Sequence, residues 1–243
     1  MLTLSFMFKF VKKIKEEKVK KETLKREDSF SRVKTSFEVK DSINGDFNYF
    51  LENFRDKSLV MLIIGRRGGG KTALGMKFVE VGKILNKRSY VIGFENSKVP
   101  KWVKKANDLE EVPNNSLVLV DEAGISFSAR DSMKKGNKEM ANLLAIARHK
   151  NLSLIFITQN SAMLDLNVLR LADVLLFKEP SLLQSRFERK NLQDMFQKVG
   201  ENFKDLDNRK NYSYVISDDF EGMIYSSLPG FWNESISKSF SKK

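Results

Sequence analysis

The stretch Leu59-Val60-Met61-Leu62-Ile63-Ile64-Gly65-Arg66-Arg67-Gly68-Gly69-Gly70-Lys71-Thr72 decides how this chain is read. An unbroken aliphatic run leads into a turn with the spacing G-x-x-x-x-G-K-[ST], and a helical pattern over Thr72–Leu85 follows. Glycines let the backbone turn so that successive N–H groups point inward, and the helix behind them presents its positive end to the same point. Gly65, Arg66, Arg67, Gly68, Gly69 and Gly70 are therefore predicted to wrap the phosphates of a nucleotide. Lys71 is placed to reach the β- and γ-phosphates, and the Thr72 hydroxyl to bind Mg²⁺. ATP and Mg²⁺ are the cofactors this loop calls for.

Working outward, short apolar runs alternate with longer helical stretches. Strands are predicted at Leu59–Ile64, Arg88–Phe94, Ser116–Val120, Leu152–Ile157 and Val174–Phe177, and helices at Thr72–Leu85, Met133–His149 and Ser181–Val199. Strands that are apolar throughout are buried on both faces, which a mostly parallel sheet covered by helices provides. The alternation predicts a doubly wound α/β domain. Tyr212–Ile216 and Gly222–Ser227 read as a closing hairpin, and Leu228-Pro229-Gly230-Phe231-Trp232 as an aromatic anchor. The expected organisation is a charged, partly helical or mobile arm over residues 1–50, a core over 51–200 and a C-terminal extension over 201–243.

Composition bounds the chemistry. The 243 residues contain no cysteine and one histidine, His149, so thiolate and multi-histidine metal centres are excluded within one chain. His149 itself is read as a helix-end or surface residue. No apolar run approaches the roughly 18–20 residues that cross a bilayer, so a cytoplasmic protein with at most peripheral membrane contact is expected. A net charge of +12 points to a polyanionic partner without choosing one. Residues 1–43 carry 12 Lys and Arg against 7 Asp and Glu. There Leu2, Phe6, Phe10 and Ile14 recur every four residues, a pattern suited to a membrane surface, capsid or other partner groove.

Two further strands end in chemistry. Ser116–Val120 runs into Asp121-Glu122, which puts both carboxylates at the C-terminal edge of the sheet, beside the phosphate loop. Asp121 would hold Mg²⁺ through its water shell, and Glu122 would polarise an attacking water. Leu152–Ile157 runs into Thr158-Gln159, where Gln159 can hydrogen-bond that water or the γ-phosphate. Arg148, at the end of the preceding helix, is either a cation at home on a helix C-terminus or an arginine finger offered to a neighbouring subunit. Arg130 is a second finger candidate. Lys134, Lys135 and Lys138, or Lys101, Lys104 and Lys105 around Trp102, are candidate strips for DNA phosphates, and equally ordinary solvated faces.

In the order of these motifs, Gly65–Thr72, then Leu117–Gly124, then Arg148 ahead of Leu154–Gln159, the chain resembles the HerA–FtsK superfamily of DNA-pumping P-loop ATPases. The stretch Ala147–Asn160 is also similar to zonula occludens toxin-like phage assembly ATPases. The resemblance covers about residues 59–177 and implies a RecA-like (ASCE-type) P-loop fold and ATP hydrolysis. It also implies a Walker B pair at Asp121 and Glu122, a sensor at Gln159 and a trans-acting finger at Arg148. It implies a homo-oligomeric ring acting on double-stranded DNA without sequence specificity. The phage assembly ATPases carry a membrane-spanning helix after the ATPase domain and none is read here, which favours the packaging or translocase branch. The alternative is a membrane-associated ATPase for phage assembly or secretion, anchored by the N-terminal arm. A nucleotide-binding protein that does not cycle is opposed by Glu122 and Gln159, and a nucleotide kinase by the lack of an arginine-rich lid.

Overall fold

A computed structural model of the chain describes residues 2–121, 133–158, 166–187 and 190–237. The apolar runs become β2 (Val60–Ile64), β3 (Ser89–Ile92), β5 (Leu117–Asp121), β6 (Ser153–Thr158) and β7 (Val174–Phe177), joined by β1 (Glu38–Gly45), β4 (Val103–Lys105), β8 (Tyr212–Ser217) and β9 (Phe220–Tyr225). All belong to one sheet in the order β1-β9-β8-β7-β2-β6-β5-β3-β4. From β7 to β4 the pairing is parallel, and β8, β9 and β1 extend it antiparallel. Every residue of β2, β3, β5 and β6 is buried, as continuous apolar strands require.

Alternate side chains feed two cores. Met61, Ile63, Leu117, Leu119, Ile155 and Ile157 meet α1 (Leu2–Lys34), α2 (Phe47–Asp56), α3 (Lys71–Ile84) and the short α8 (Glu234–Ser237) on one face. Leu62, Ile64, Val118, Val120, Leu154 and Phe156 meet α4 (Met133–His149), α5 (Leu166–Arg170) and α7 (Lys190–Glu201) on the other. The predicted mostly parallel, helix-covered α/β sheet is present. Gly75 and Gly82 bring α3 onto β5: a Cβ on Gly75 would stand 2.6 Å from Leu119 Cδ1, and one on Gly82 2.3 Å from Leu117 Cδ2.

Residue 50 marks no break in this fold, contrary to the expected boundary of the arm. Phe37, Phe47, Phe50 and Phe54 are buried and gather around Phe78 of α3, with ring centroids 4.9, 6.2 and 5.5 Å from Phe78 for Phe37, Phe50 and Phe54. Each such pair contributes about 0.5–1.5 kcal/mol beyond its area burial. β1 pairs with β9 from Glu38↔Tyr225 to Gly45↔Phe220. The exposed part is α1, a helix of 33 residues and about 50 Å. Its residues 15–28 are solvent-exposed, and Phe30 and Val33 near its end dock on the core.

Residues 201–237 likewise continue the core. The predicted hairpin forms as β8 and β9 and lies against β7. The aromatic anchor also forms. Trp102 meets Phe231 edge-on at 5.5 Å, Gly230 N donates to Glu80 Oε1 on α3 at 2.7 Å, and Asn233 Nδ2 donates to Lys98 O at 3.0 Å. The helix predicted over Ser181–Val199 is present as α6 (Leu182–Phe187) and α7.

Candidate nucleotide-binding site

β2 delivers the phosphate loop at the C-terminal edge of the parallel strands, and α3 leaves it at Lys71. The turn needs glycine at Gly68 (φ 73°) and at Gly70, the helix N-cap (φ 91°), where a Cβ would also stand 2.8 Å from Lys210 O. Among the described residues the amides of Arg67, Gly68 and Gly70 have no main-chain acceptor, and a Cβ on Gly68 would meet nothing within 4 Å. Free N–H donors around open space at the head of a 14-residue helix fit a phosphate group. Lys71 is 5% exposed, and its Nζ donates to Gly65 O at 2.7 Å and Arg66 O at 2.9 Å, so the ammonium is held over the loop itself.

Register sets the rest of the edge. Ile64 pairs with Thr158 on one side and Phe177 on the other, and Asp121 pairs with Ile157. Asp121 and Thr158 are buried at 2% and 0% exposure. Asp121 thus lies at the same edge as the loop, two strands and about 9–10 Å across the ladder from it, with β6 between. Thr72, half-buried on the first turn of α3, and Asp121 carry hard oxygen atoms of the kind that fit Mg²⁺. Glu122, Gln159 and Arg130 lie outside the described residues, as do the side chains of Lys134, Lys135 and Lys138. The strands that lead to Glu122 and Gln159 end at Asp121 and Thr158.

Arg148 is not at this edge. It ends α4 at the opposite side of the sheet, one strand length or about 16 Å away. There its Nη2 donates to Leu171 O at 2.9 Å and to Asp173 Oδ1 at 3.0 Å, while Asp173 Oδ2 accepts from Val60 N at 2.7 Å. A finger acting on the chain's own nucleotide is excluded by this position. His149 is exposed at the same helix end, as expected. Of the second lysine strip, Lys104 and Lys105 lie on the edge strand β4, with Lys105 Nζ bound to Glu95 O at 2.6 Å.

Two residues that sequence reading passed over belong to the site. Lys178, next after β7, lies under the loop at 1% exposure, and burial pushes its amine down to about 7. Glu179 accepts from Arg66 and from Arg209 Nη1, the latter at 2.7 Å. Arg66, Glu179 and Arg209 border a cleft of about 660 Å³ whose walls include Pro180, Phe196 and Gln197. A lysine and a glutamate after an apolar strand look like any solvated strand end, so no local signal marked them.

Residues 74–176 match the family described as Zonular occludens toxin (Zot). Comparison with curated protein sequences gives no match. Among solved structures the chain is similar to the genome packaging NTPase B204 from Sulfolobus turreted icosahedral virus 2 in complex with ATP-gammaS, at 17% identity over 71% of this chain and 98% of that chain, with a TM-score of 0.48. It is also similar to EssC (ATPases 2 and 3) from Geobacillus thermodenitrificans, at 8% identity over 74% and 42% of the two chains with a TM-score of 0.43. A third likeness is to the N-terminal domain of zonular occludens toxin from Neisseria meningitidis, at 15% identity over 76% and 98% of the two chains with a TM-score of 0.38. Among the described residues no helix is long and apolar enough to cross a membrane.

Proposed function

We propose that the chain is a Mg²⁺-dependent ATPase that works, as a homo-oligomeric ring, to move double-stranded DNA, in the packaging or translocase branch of the HerA–FtsK group. The observation that carries the reading is one sheet edge at which the phosphate loop after β2 and the buried Asp121 at the end of β5 flank the strand that leads to Gln159. The loop amides and Lys71 bind and orient the triphosphate. Thr72 and Asp121 would hold Mg²⁺, whose charge would offset the negative charge of the reacting phosphates. Glu122 takes up the attacking water by accepting its hydrogen bond, and Gln159 fixes that water's direction.

The placement of Arg148 supports a head-to-tail ring. In a head-to-tail ring the N-terminal edge of one sheet would face the C-terminal edge of the next, and the half-exposed guanidinium, on leaving Leu171 O and Asp173, would reach the neighbour's γ-phosphate. The test is mixing. Arg148→Ala should bind ATP without turning it over, and blending it with a Lys71→Ala partner should restore part of the activity, because each supplies what the other lacks. No recovery at any ratio rejects the trans arrangement.

The Zot match over residues 74–176 favours a second reading, an assembly ATPase that works on protein at a membrane surface with α1 as its anchor. ATPase rates measured with double-stranded DNA and with anionic vesicles, each across a salt series, separate the two. Stimulation by DNA that fades with salt supports the motor. Stimulation by vesicles alone supports the assembly ATPase.

A further inference from the structure

Lys178 is a buried lysine beside the phosphate loop that phosphate chemistry leaves unused. Phe177 pairs with Ile64, so the next residues of the two strands, Lys178 and Gly65, emerge side by side, and Lys178 N donates to Ile64 O at 2.8 Å. A Cβ on Gly65 would stand 2.7 Å from Lys178 Cβ, one on Gly69 3.6 Å from the same atom, and one on Gly70 3.5 Å from Lys178 Cε. The aliphatic stem is therefore the floor on which three glycines of the phosphate loop rest. At its far end Nζ donates to Lys210 O and Tyr212 O, each at 2.8 Å, where the chain enters β8. The nearby carboxylate of Glu179 is engaged by Arg66 and Arg209. A neutral amine carries two N–H donors, as many as the carbonyls facing it, so the contact survives loss of the proton.

We infer that Lys178 is a positioning residue for the phosphate loop: its stem sets the height of Gly65, Gly69 and Gly70, and its two N–H bonds tie that stem to the Lys210–Tyr212 segment. Loop and segment then tighten together when a nucleoside triphosphate binds, an inference that rests on the nucleotide-binding reading above. A leucine would fill part of the space but leave two buried carbonyls without donors. A surface lysine would supply charge without a floor.

The experiment is Mg-ATP binding by calorimetry on the full chain, comparing wild type, Lys178→Met, Lys178→Arg and Tyr214→Phe at a temperature well below each unfolding midpoint. Lys178→Met should weaken binding by about tenfold, and Lys178→Arg, which keeps donors, should recover part of that loss. Tyr214→Phe removes the part-buried β8 bond to Glu221 Oε1 at 2.7 Å without touching the loop, so it should lower stability and leave affinity alone. Wild-type affinity in folded Lys178→Met overturns the inference, because a merely structural lysine would move the midpoint only. Wild type that binds no ATP overturns the nucleotide reading and this inference with it. Should Lys178→Met not fold, hydrogen exchange on wild type decides: ATP must slow exchange over residues 209–213 as well as 65–71, and an unchanged 209–213 segment overturns the coupling.

Discussion

Replacing Gly82 by alanine asks whether the close seat of α3 on β5 is set by shape or only tolerated. The helix gains by the change in isolation, since alanine is favoured over glycine by about 0.8–1.0 kcal/mol in a helix interior. Against that, the new Cβ would stand 2.3 Å from Leu117 Cδ2, where carbon atoms prefer about 3.5–4.0 Å. The obstacle is the end of a side chain, and a leucine on the surface would swing aside. Leu117 is 0% exposed and sits within a filled core, so it moves only by displacing its neighbours. Overpacking of this kind costs about 1–3 kcal/mol, which exceeds the propensity gain, and a net loss of about 1–2 kcal/mol is expected. Urea unfolding with an unchanged slope measures it. Gly82→Ala combined with Leu117→Val should lose less than the two single losses together, because the second change clears space for the first. A Gly82→Ala protein as stable as wild type would refute the argument. Gly75→Ala meets two walls, Leu119 Cδ1 at 2.6 Å and Ile157 Cδ1 at 3.1 Å, and lies one turn from Lys71. It should therefore weaken ATP binding as well as stability, whereas Gly82→Ala should spare binding.

Other outcomes follow from single contacts. Glu122→Gln should keep ATP affinity and lose turnover by at least about 100-fold, read by steady-state hydrolysis beside nucleotide binding. Arg148→Ala should cost no more than about 1 kcal/mol in urea unfolding, since its ion pair with Asp173 is half-exposed. Asp173→Ala should cost about 1–3 kcal/mol, because the buried Val60 amide loses its acceptor. For Lys178 the folded pKa lies below the unfolded one, so between about pH 7 and 10 the unfolded chain holds a proton that the folded chain does not. Stability should thus rise with pH across that window, by up to about 1.4 kcal/mol per unit. Lys178→Met should lack that rise when both proteins are unfolded in urea from pH 6.5 to 9.5.

What could be read in the sequence was whatever one stretch states by itself. Each apolar run became a central strand, since burial on both faces leaves a compositional mark, and the G-x-x-x-x-G-K-T spacing lies where β2 meets α3. The closing hairpin was legible too, read as Tyr212–Ile216 with Gly222–Ser227 and present as β8 and β9. β1 was not: all eight of its residues are exposed, and what holds Glu38–Gly45 is a ladder with β9 rather than any apolar pattern of its own. β4 was hidden for the same reason, with two of its three residues being exposed lysines. Phe37, Phe47 and Phe50 were assigned to an arm because the charge of residues 11–28 dominates that region, although Phe37 and Phe50 meet Phe78 on α3. At the site, the loop glycines speak through spacing. Lys178 speaks only through register with Ile64, which exists once β7 has paired with β2.

The pairing of β1 with β9 also dictates timing. β1 is synthesised about 175 residues before the strand that completes it. At translation rates of about 5–20 residues per second, Glu38–Gly45 waits on the order of 10–30 s for its partner. During that interval Phe47 has no Phe220 to close against, and a sheet edge with free N–H and C=O groups faces the ribosome's surroundings. The most distant contact in the sheet is thus made last, which slows folding. A chain halted before Phe220 would carry a finished phosphate loop on an unfinished fold.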